Sequence, residues 1–336
     1  MKLVFIAAYF FALQPLFAQQ TAIVSFYNLE NFYDTIDDPL KSDEEFTPTG
    51  SLKYNSARYQ KKIKHLAKAI ADLGKAVGSR GPDLLGVCEV ENATALNDLI
   101  ADSALGNKHY GFVLIEGPDA RGVDPALIFR KKSFEVVDSK SYAVQLPKDT
   151  AYRTRDILFV RGKLFGEEVA VLVNHWPSRR GGELKSRENR NAAARRARYI
   201  ADSVERVHIG IKIIIMGDLN DDPVNACVKK YIGTFEKPGQ ERSGMYYNPF
   251  ESLYKKGIGT LAYKDNWNLF DQIMFNQNVW SVDNTGWRVA EARVHNLVYL
   301  RGDYGNFKGY PYRTYSGGIY TGGYSDHFAS YVLLKR

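Results

Sequence analysis

Over most of the chain, apolar residues fall in short continuous runs separated by polar turns, the pattern of buried strands. Residues 21–27 and 83–88 are the first two such runs. Between them Tyr59, Ile63, Leu66, Ile70 and Leu73 recur at helical spacing, which predicts a helix over 56–73 stopped by Gly74. Its Lys61, Lys62, Lys64 and Lys68 read as a solvated outer face. A second helix is expected over 93–105, then successive strands over 110–116, 126–129, 134–144, 157–165 and 168–174. A long helix over 183–207 precedes a β-branched strand at 211–216. A short helix after Pro223 gives way to an irregular stretch, 233–266, before strands return at 270–275, 292–297 and 328–334.

Consecutive strands in the middle of the chain argue against a simple doubly wound sheet. The pattern fits an α/β sandwich, two stacked sheets with helices outside. No repeat or low-complexity linker divides residues 19–336, so one domain is expected there.

The first residues stand apart. Lys2, the apolar run 3–13 and the stretch Leu16-Phe17-Ala18-Gln19 describe a secretory signal over 1–18. The run is too short and interrupted to span a membrane comfortably. The expected mature chain begins near Gln19 and is exported, to the periplasm or the extracellular space. Losing Lys2 and no acid lowers the formal net charge of +7 by one. A mildly basic surface suits phosphate-bearing substrates, though solubility alone explains it equally well.

With 45% hydrophobic residues, 22 Tyr and 18 Phe, the chain can build a large core, which excludes disorder, collagen-like fibre and coiled coil. Two cysteines exclude a disulfide-knit scaffold and a Cys-built zinc site. Cys88 and Cys227 could pair in an oxidising compartment, though the apolar surroundings of each favour free thiols.

Polar residues cluster where the apolar strands end. Asn28 follows the first strand, Glu89 the second, His175 the strand before the long helix, and Asp218 and Asn220 the strand 211–216. Asp326 and His327 break that order by preceding the last strand. Strand ends are where sheet folds display chemistry on loops. Any one of these could be an ordinary turn former; the set together is not easily explained that way. Asn28, Glu89 and Asp326 are hard oxygen donors, which point to Mg²⁺ or Mn²⁺, with Ca²⁺ also suited, and away from zinc. His175 and His327 can exchange protons near neutral pH. Asp271, an acid within an apolar segment, needs a buried partner, and a histidine would serve. Metal-bound oxygens, two histidines and paired Asp/Asn suit in-line displacement at phosphorus. No Gly-x-Ser-x-Gly elbow and no phosphate loop of the nucleoside-triphosphate type are present.

Taken together, Phe26-Tyr27-Asn28-Leu29-Glu30-Asn31, Val87-Cys88-Glu89-Val90-Glu91-Asn92, Asn174-His175-Trp176-Pro177-Ser178-Arg179, Gly217-Asp218-Leu219-Asn220, Asp271-Gln272-Ile273 and Ser325-Asp326-His327-Phe328 resemble, in order, the motifs of the endonuclease/exonuclease/phosphatase superfamily. The resemblance implies a four-layered α/β sandwich, two stacked mixed β-sheets flanked by helices, with the site at one edge of the two sheets. Asn28 and Glu89 would hold a divalent metal, with Asp326 near or on it. Asp218 and Asn220 would position the attacking water and the scissile phosphate. His327 would act as general base or its equivalent, oriented by Asp271, and His175 would face the phosphate. Which histidine is acid and which base is left open. Glu91 reads either as a hydrogen-bonding neighbour of the metal ligand or as a surface residue.

Arg179 and Arg180 follow His175 in a Gly-rich turn and are candidate phosphate clamps, with structural arginines as the alternative. Arg155 reads as an ion-pair partner that holds its loop. The arginines of the long helix, Arg187, Arg190, Arg195, Arg196 and Arg198, read as its solvated face. The segment 304–324, rich in Tyr and Gly, lies directly before Asp326; its aromatics either pack an ordered loop or, together with 233–266, choose a substrate. The leading expectation is a metal-dependent phosphodiesterase acting on DNA or RNA without stable membrane insertion. The alternatives are a phosphatase or phospholipase-type enzyme on inositol phosphates or phospholipids, and a silent binding module of the same fold.

Overall fold

The computed structural model describes residues 20–336 apart from 80, 148–152, 238, 241, 242, 281–285 and 304. The expected signal segment and Tyr304 therefore lie outside the described residues.

Strand β1 (Thr21–Phe32) leads to helix α1 (Ser56–Asp72), strand β2 (Leu84–Val90) and helices α2 (Ala93–Ala101) and α3 (Ser103–Gly106). Strands β3 (Tyr110–Leu114), β4 (Asp124–Arg130), β5 (Phe134–Tyr142), β6 (Ile157–Leu164) and β7 (Glu167–His175) follow, then helix α4 (Glu183–Val207) and β8 (Lys212–Asp218). Next come β9 (Thr234–Phe235), β10 (Tyr246–Tyr247), α5 (Phe250–Lys255), β11 (Leu261–Tyr263), β12 (Asn266–Asn268) and β13 (Asp271–Phe275). The chain ends with β14 (Arg288–His295), β15 (Tyr315–Ser316), β16 (Ile319–Tyr320) and β17 (Ala329–Lys335).

One sheet has the order β14-β17-β1-β2-β4-β3 and the other β5-β6-β7-β8-β13-β10-β9. Period-two alternation builds the layers. Along β1, Ala22, Val24 and Phe26 meet Val171, Val173 and Met216 of the second sheet, whereas Ile23 and Tyr27 face Ile63, Leu66 and Ile70 of α1. On the far side, Ala170 and Leu172 of β7 pack against Ala194, Ala197 and Ala201 of α4. Helix, sheet, sheet and helix form the expected four-layered sandwich. Cys88 lies between the sheets and Cys227 under α4; both are buried and unpaired.

Three expectations change in detail. The helix expected over 93–105 breaks at Asp102, whose Oδ1 accepts the Ala104 N–H at 2.9 Å and caps a new turn. The stretch 233–266 is not irregular throughout: β9 and β10 extend the second sheet beyond β13. Lys62 is buried instead of solvated, because it stands one turn from Tyr59 and from Leu66 on the inner face of α1.

Register explains the site's location. The strands β1 and β2 run parallel, as do β7 and β8, so their C-terminal ends gather at one edge. The antiparallel neighbours β13 and β17 bring their N-terminal ends to that same edge. For this reason Asp326 and His327 precede their strand and Asp271 opens its own, while Asn28, Glu89, His175 and Asp218 lie toward the C-terminal ends of theirs.

Candidate active site

The ends of β1 and β2 part from regular pairing between Asn28 and Phe32. Glu30, Asn31 and Glu89 take the left-handed backbone region at φ 51°, 48° and 61°. For residues with a Cβ this costs on the order of 1–3 kcal/mol each, a cost that concentrates where function needs a re-aimed group. Here it turns Glu89 toward Asn28 and the second sheet. Glu89 Oε2 accepts the Asn31 N–H at 2.8 Å, and Oε1 lies 3.3 Å from Asn28 Nδ2. Burial alone would raise the Glu89 pKa, but Arg121 and the Asn31 N–H outweigh it and keep the carboxylate ionised.

Asn28 bridges the sheets. Its Oδ1 accepts the Glu30 N–H at 2.9 Å, and its Nδ2 donates to Asp218 Oδ2 at 3.1 Å. The amide thus offers a donor to two carboxylates. Its oxygen would join a metal on Glu89 only if the amide turned over.

Register pairs Asp218 with both His175 and Asp271. The fully buried Asp271 accepts the His327 Nδ1–H at its Oδ2, over 2.7 Å. His327 Nε2 then faces Asp218 Oδ2 at 3.9 Å and Asp326 Oδ1 at 4.0 Å. Burial pulls the His327 pKa down, but the carboxylates of Asp271 and Asp218 push it well above its ordinary value. Burial next to Asp271 lifts Asp218 to about 6, although His327 opposes the rise. His175 goes the other way: burial, Arg155 and Arg121 hold it well below its ordinary value, so its ring is neutral. Its Nε2 stands 3.7 Å from both Glu89 Oε1 and Asp218 Oδ2. The site therefore holds one protonated and one neutral imidazole around ionisable oxygens.

Two buried groups of donors lie close enough to share a cation, Cys88 with His175 and Asp218, and Asp218 with Asp271 and His327. Burial raises the Cys88 thiol well above its ordinary pKa, which disfavours it as a thiolate ligand. Glu89, with Asp326 at the rim, offers hard carboxylate oxygens of the kind a divalent ion prefers.

Asn220, at φ 49°, donates its Nδ2 to Trp176 O at 3.0 Å, and its N–H caps Asp218 Oδ1 at the same distance. Gly217, just before Asp218, admits no side chain, since a Cβ there would meet Asn174 O at 2.3 Å. Gly217→Ala is expected to shift β8 away from β7, costing about 1–3 kcal/mol by overpacking. Activity should fall at least roughly tenfold from the displaced Asp218. Urea unfolding and turnover measured on the same preparation would check both.

The candidate phosphate arginines stand otherwise. Arg179 spends its guanidinium on Asp221 Oδ1 at 2.9 Å, Asp222 Oδ2 at 3.2 Å and Asn220 O at 3.0 Å, stacked over Phe270. It braces the loop that carries Asn220. Arg180 is exposed on the turn. Arg155 pairs with Asp119 and donates to Trp176 O at 2.9 Å. Arg190 is fully buried on Asp221 at 2.7 Å, not solvated. The periodicity of α4 alone would have turned it inward, beside Ala193, Ala194 and Ala197.

Sequence reading passed over three contributors. Ser325 Oγ donates to Asn28 O at 2.7 Å and accepts the His327 N–H, tying the two strand ends together. Arg313 lies 3.7 Å from Asp326 Oδ2. Glu30 and Lys62 form a buried ion pair at 3.4 Å, and Lys62 also donates to Thr314 Oγ1 at 2.7 Å and Tyr324 O at 2.9 Å. Only the interrupted polarity of α1 could have flagged Lys62. Within 304–324, β15 and β16 form a small hairpin, and Phe307, Tyr310, Tyr312, Arg313 and Ile319 line an apolar cavity of about 310 Å³. Glu91 accepts the Asp34 N–H at 2.6 Å, a bond to the loop after β1 and not to Glu89.

The fold and these residues define a class that known proteins share. The endonuclease/exonuclease/phosphatase family matches residues 23–336, and the chain belongs to it. Members of that family are phosphoester hydrolases, and they generally use divalent metals. No curated protein matches the chain by sequence. Among solved structures, an endonuclease/exonuclease/phosphatase family protein from Bacteroides thetaiotaomicron superposes with a TM-score of 0.57 at 17% identity, over 95% of this chain and 96% of the other. The mannosyl-6-phosphatase of Bacteroides thetaiotaomicron VPI-5482 gives 0.55 at 16% identity, over 93% and 99%. TDP2 from D. rerio, complexed with single strand DNA product, gives 0.54 at 13% identity, over 94% and 98%. Among the described residues no helix is long and apolar enough to cross a membrane.

Proposed function

We propose that this chain is a divalent-metal-dependent phosphodiesterase that hydrolyses DNA or RNA by attack of water at phosphorus, and that it acts outside the cytoplasm. The observation that carries the reading is the His327–Asp271 contact of 2.7 Å with Nε2 turned toward Asp218. It sets a charged imidazole and a carboxylate of raised pKa side by side, as proton transfer to and from oxygen requires. Glu89, with Asp326 and a turned Asn28 beside it, would hold Mg²⁺ or Mn²⁺, and Ca²⁺ would also fit such oxygens. The ion would neutralise charge on the phosphoryl oxygens. Asp218 and Asn220 orient the water. His327 and the neutral His175 lie on either side of Asp218, where one takes the proton of water and the other serves the leaving oxygen. Export rests on the sequence of residues 1–18.

A nucleic-acid substrate draws support from the DNA product held by the similarly folded TDP2. It also fits the aromatic cavity beside Arg313, where a base or sugar could stack. The similarly folded mannosyl-6-phosphatase favours a second reading, a phosphomonoesterase acting on a phosphorylated sugar or inositol. The test offers plasmid DNA, RNA and a panel of sugar, inositol and lipid phosphates to residues 20–336 in Mg²⁺, Mn²⁺ or EDTA. Metal-dependent nicking is expected. Inert polymers with rapid release of phosphate from a small ester would replace this reading with the second, and inertness toward all of them would leave a silent module.

A further inference from the structure

Between β14 and β17 the backbone frames the aromatic cavity on three sides. Tyr312 N–H donates to Leu300 O at 2.8 Å, Gly302 N–H to Tyr310 O at 2.8 Å and Gly323 N–H to Arg313 O at 3.1 Å. These bonds hold residues 300–302, 310–313 and 323 around a volume of about 310 Å³. Phe307, Tyr310, Pro311, Tyr312 and Ile319 supply its apolar lining.

Phe307 and Ile319 are 53% and 72% exposed. One exposed apolar side chain means little, but two at an apolar cavity mark a binding site. The hydroxyls of the lining are committed within the protein. Tyr310 donates to Asp265 Oδ1 at 2.6 Å and accepts the Asp265 N–H at 2.7 Å, Tyr312 donates to Thr321 O at 2.6 Å, and Thr321 donates to Arg313 O at 2.5 Å. The two tyrosines therefore offer the cavity ring surface. Arg313, the one cation in the lining, reaches toward the active site, 3.7 Å from Asp326 Oδ2, and Asp326 Oδ1 lies 4.0 Å from His327 Nε2.

We propose that this cavity is a nucleobase subsite, which holds the base of the nucleotide next to the phosphate under attack. Resting on the nuclease reading, this role settles which part of the nucleotide the chain grips. A base stacks on aromatic walls whatever its identity, and the Arg313 guanidinium can meet the flanking phosphate. A sugar suits the walls poorly. Its hydroxyls would give up water for a lining in which Ser316 and Arg313 are the side-chain donors not already committed to the cavity's own frame. The volume lies at the small end of ligand sites, about 300–1,000 Å³, which suits one ring system over an acyl chain.

Calorimetric titration in EDTA, where metal-dependent turnover is silent, tests this on residues 20–336 and on Phe307→Ala and Ile319→Ala. The probes are AMP, ribose 5-phosphate and a hexadeoxyadenylate single strand, chosen because a base in a duplex must first be turned out of its stack. AMP is expected to bind at least about tenfold more tightly than ribose 5-phosphate, the share of one stacked base. Each variant should erase most of that difference and leave ribose 5-phosphate unchanged. Both side chains are largely exposed, so neither substitution threatens the fold. The hexanucleotide should bind at least as tightly as AMP and lose affinity in the same variants. Equal binding of AMP and ribose 5-phosphate overturns the proposal, as does no AMP binding up to about 10 mM. So does AMP binding indifferent to both variants, or refusal of the strand by a protein that takes AMP. Each of these outcomes leaves the nuclease reading standing; inert plasmid and RNA in the turnover assay would refute that reading without altering the binding result.

Discussion

His327→Ala is expected to lower kcat/KM by about 10²–10⁴-fold, the usual contribution of a positioned acid or base. The loss should fall on kcat, because the imidazole is buried against Asp271 and only its Nε2 would be left to meet the reacting atoms. Activity within a few-fold of wild type would remove His327 from the reaction. Asp271→Asn makes the informative comparison. It deletes the carboxylate that does most to raise the His327 pKa and leaves burial, which lowers it. The limb of the pH–rate profile that titrates with His327 should therefore move to lower pH.

The same pair carries a stability signature. A histidine whose native pKa lies above its unfolded value adds stability that is fully present below about pH 6.5 and fades as pH rises through the native value. Wild type should lose that increment on the alkaline side, and Asp271→Asn should not. His175, held neutral by burial, has the opposite sign: its folded pKa is lowered, so the chain loses stability as pH falls below about 6.5. Urea midpoints across pH separate the two effects, since each disappears in its own alanine variant.

The layers and most strands could be read from the chain because apolar runs and helical stripes report burial directly. The long helix over 183–207 ends where its periodicity does. Asn28, Glu89, His175, Asp218, Asp271 and His327 were also legible, since each interrupts an apolar run at a place a sheet can use. What escaped reading depends on pairings between segments distant in sequence. Arg179 resembles a phosphate ligand until Asp221 and Asp222, 42 and 43 residues on, take its guanidinium. Arg190 looks like one of many helix arginines until Asp221 meets it in the core. The stretch 233–266 seemed irregular because β9 and β10 are two residues each, too short to show alternation. Asn28 reads as an oxygen donor, yet the turn at Glu30 takes that oxygen and presents the amide nitrogen instead.

Lys62→Met is expected to destabilise the chain by about 3–5 kcal/mol near pH 8, the range for breaking a buried pair from one side. Glu30 would keep a charge 7% exposed, with the Thr314 N–H at 2.7 Å as its remaining donor. Burial already raises the Glu30 pKa even with Lys62 opposing it, and without the lysine the rise grows. A carboxyl whose folded pKa is raised binds more protons folded than unfolded, so stability falls as pH climbs above about 4.3. The deficit of Lys62→Met should accordingly shrink toward pH 5. The double variant Glu30→Gln with Lys62→Met should recover most of the loss at pH 8, since it removes the unpaired charge. Activity should recover less. The ammonium also holds Thr314 and the Tyr324 carbonyl, which lead to Ser325, Asp326 and His327. Urea unfolding at the two pH values, with turnover measured well below each midpoint, separates the two roles. A Lys62→Met protein as stable as wild type at pH 8 would mean that Glu30 is neutral in the fold and that the lysine anchors nothing.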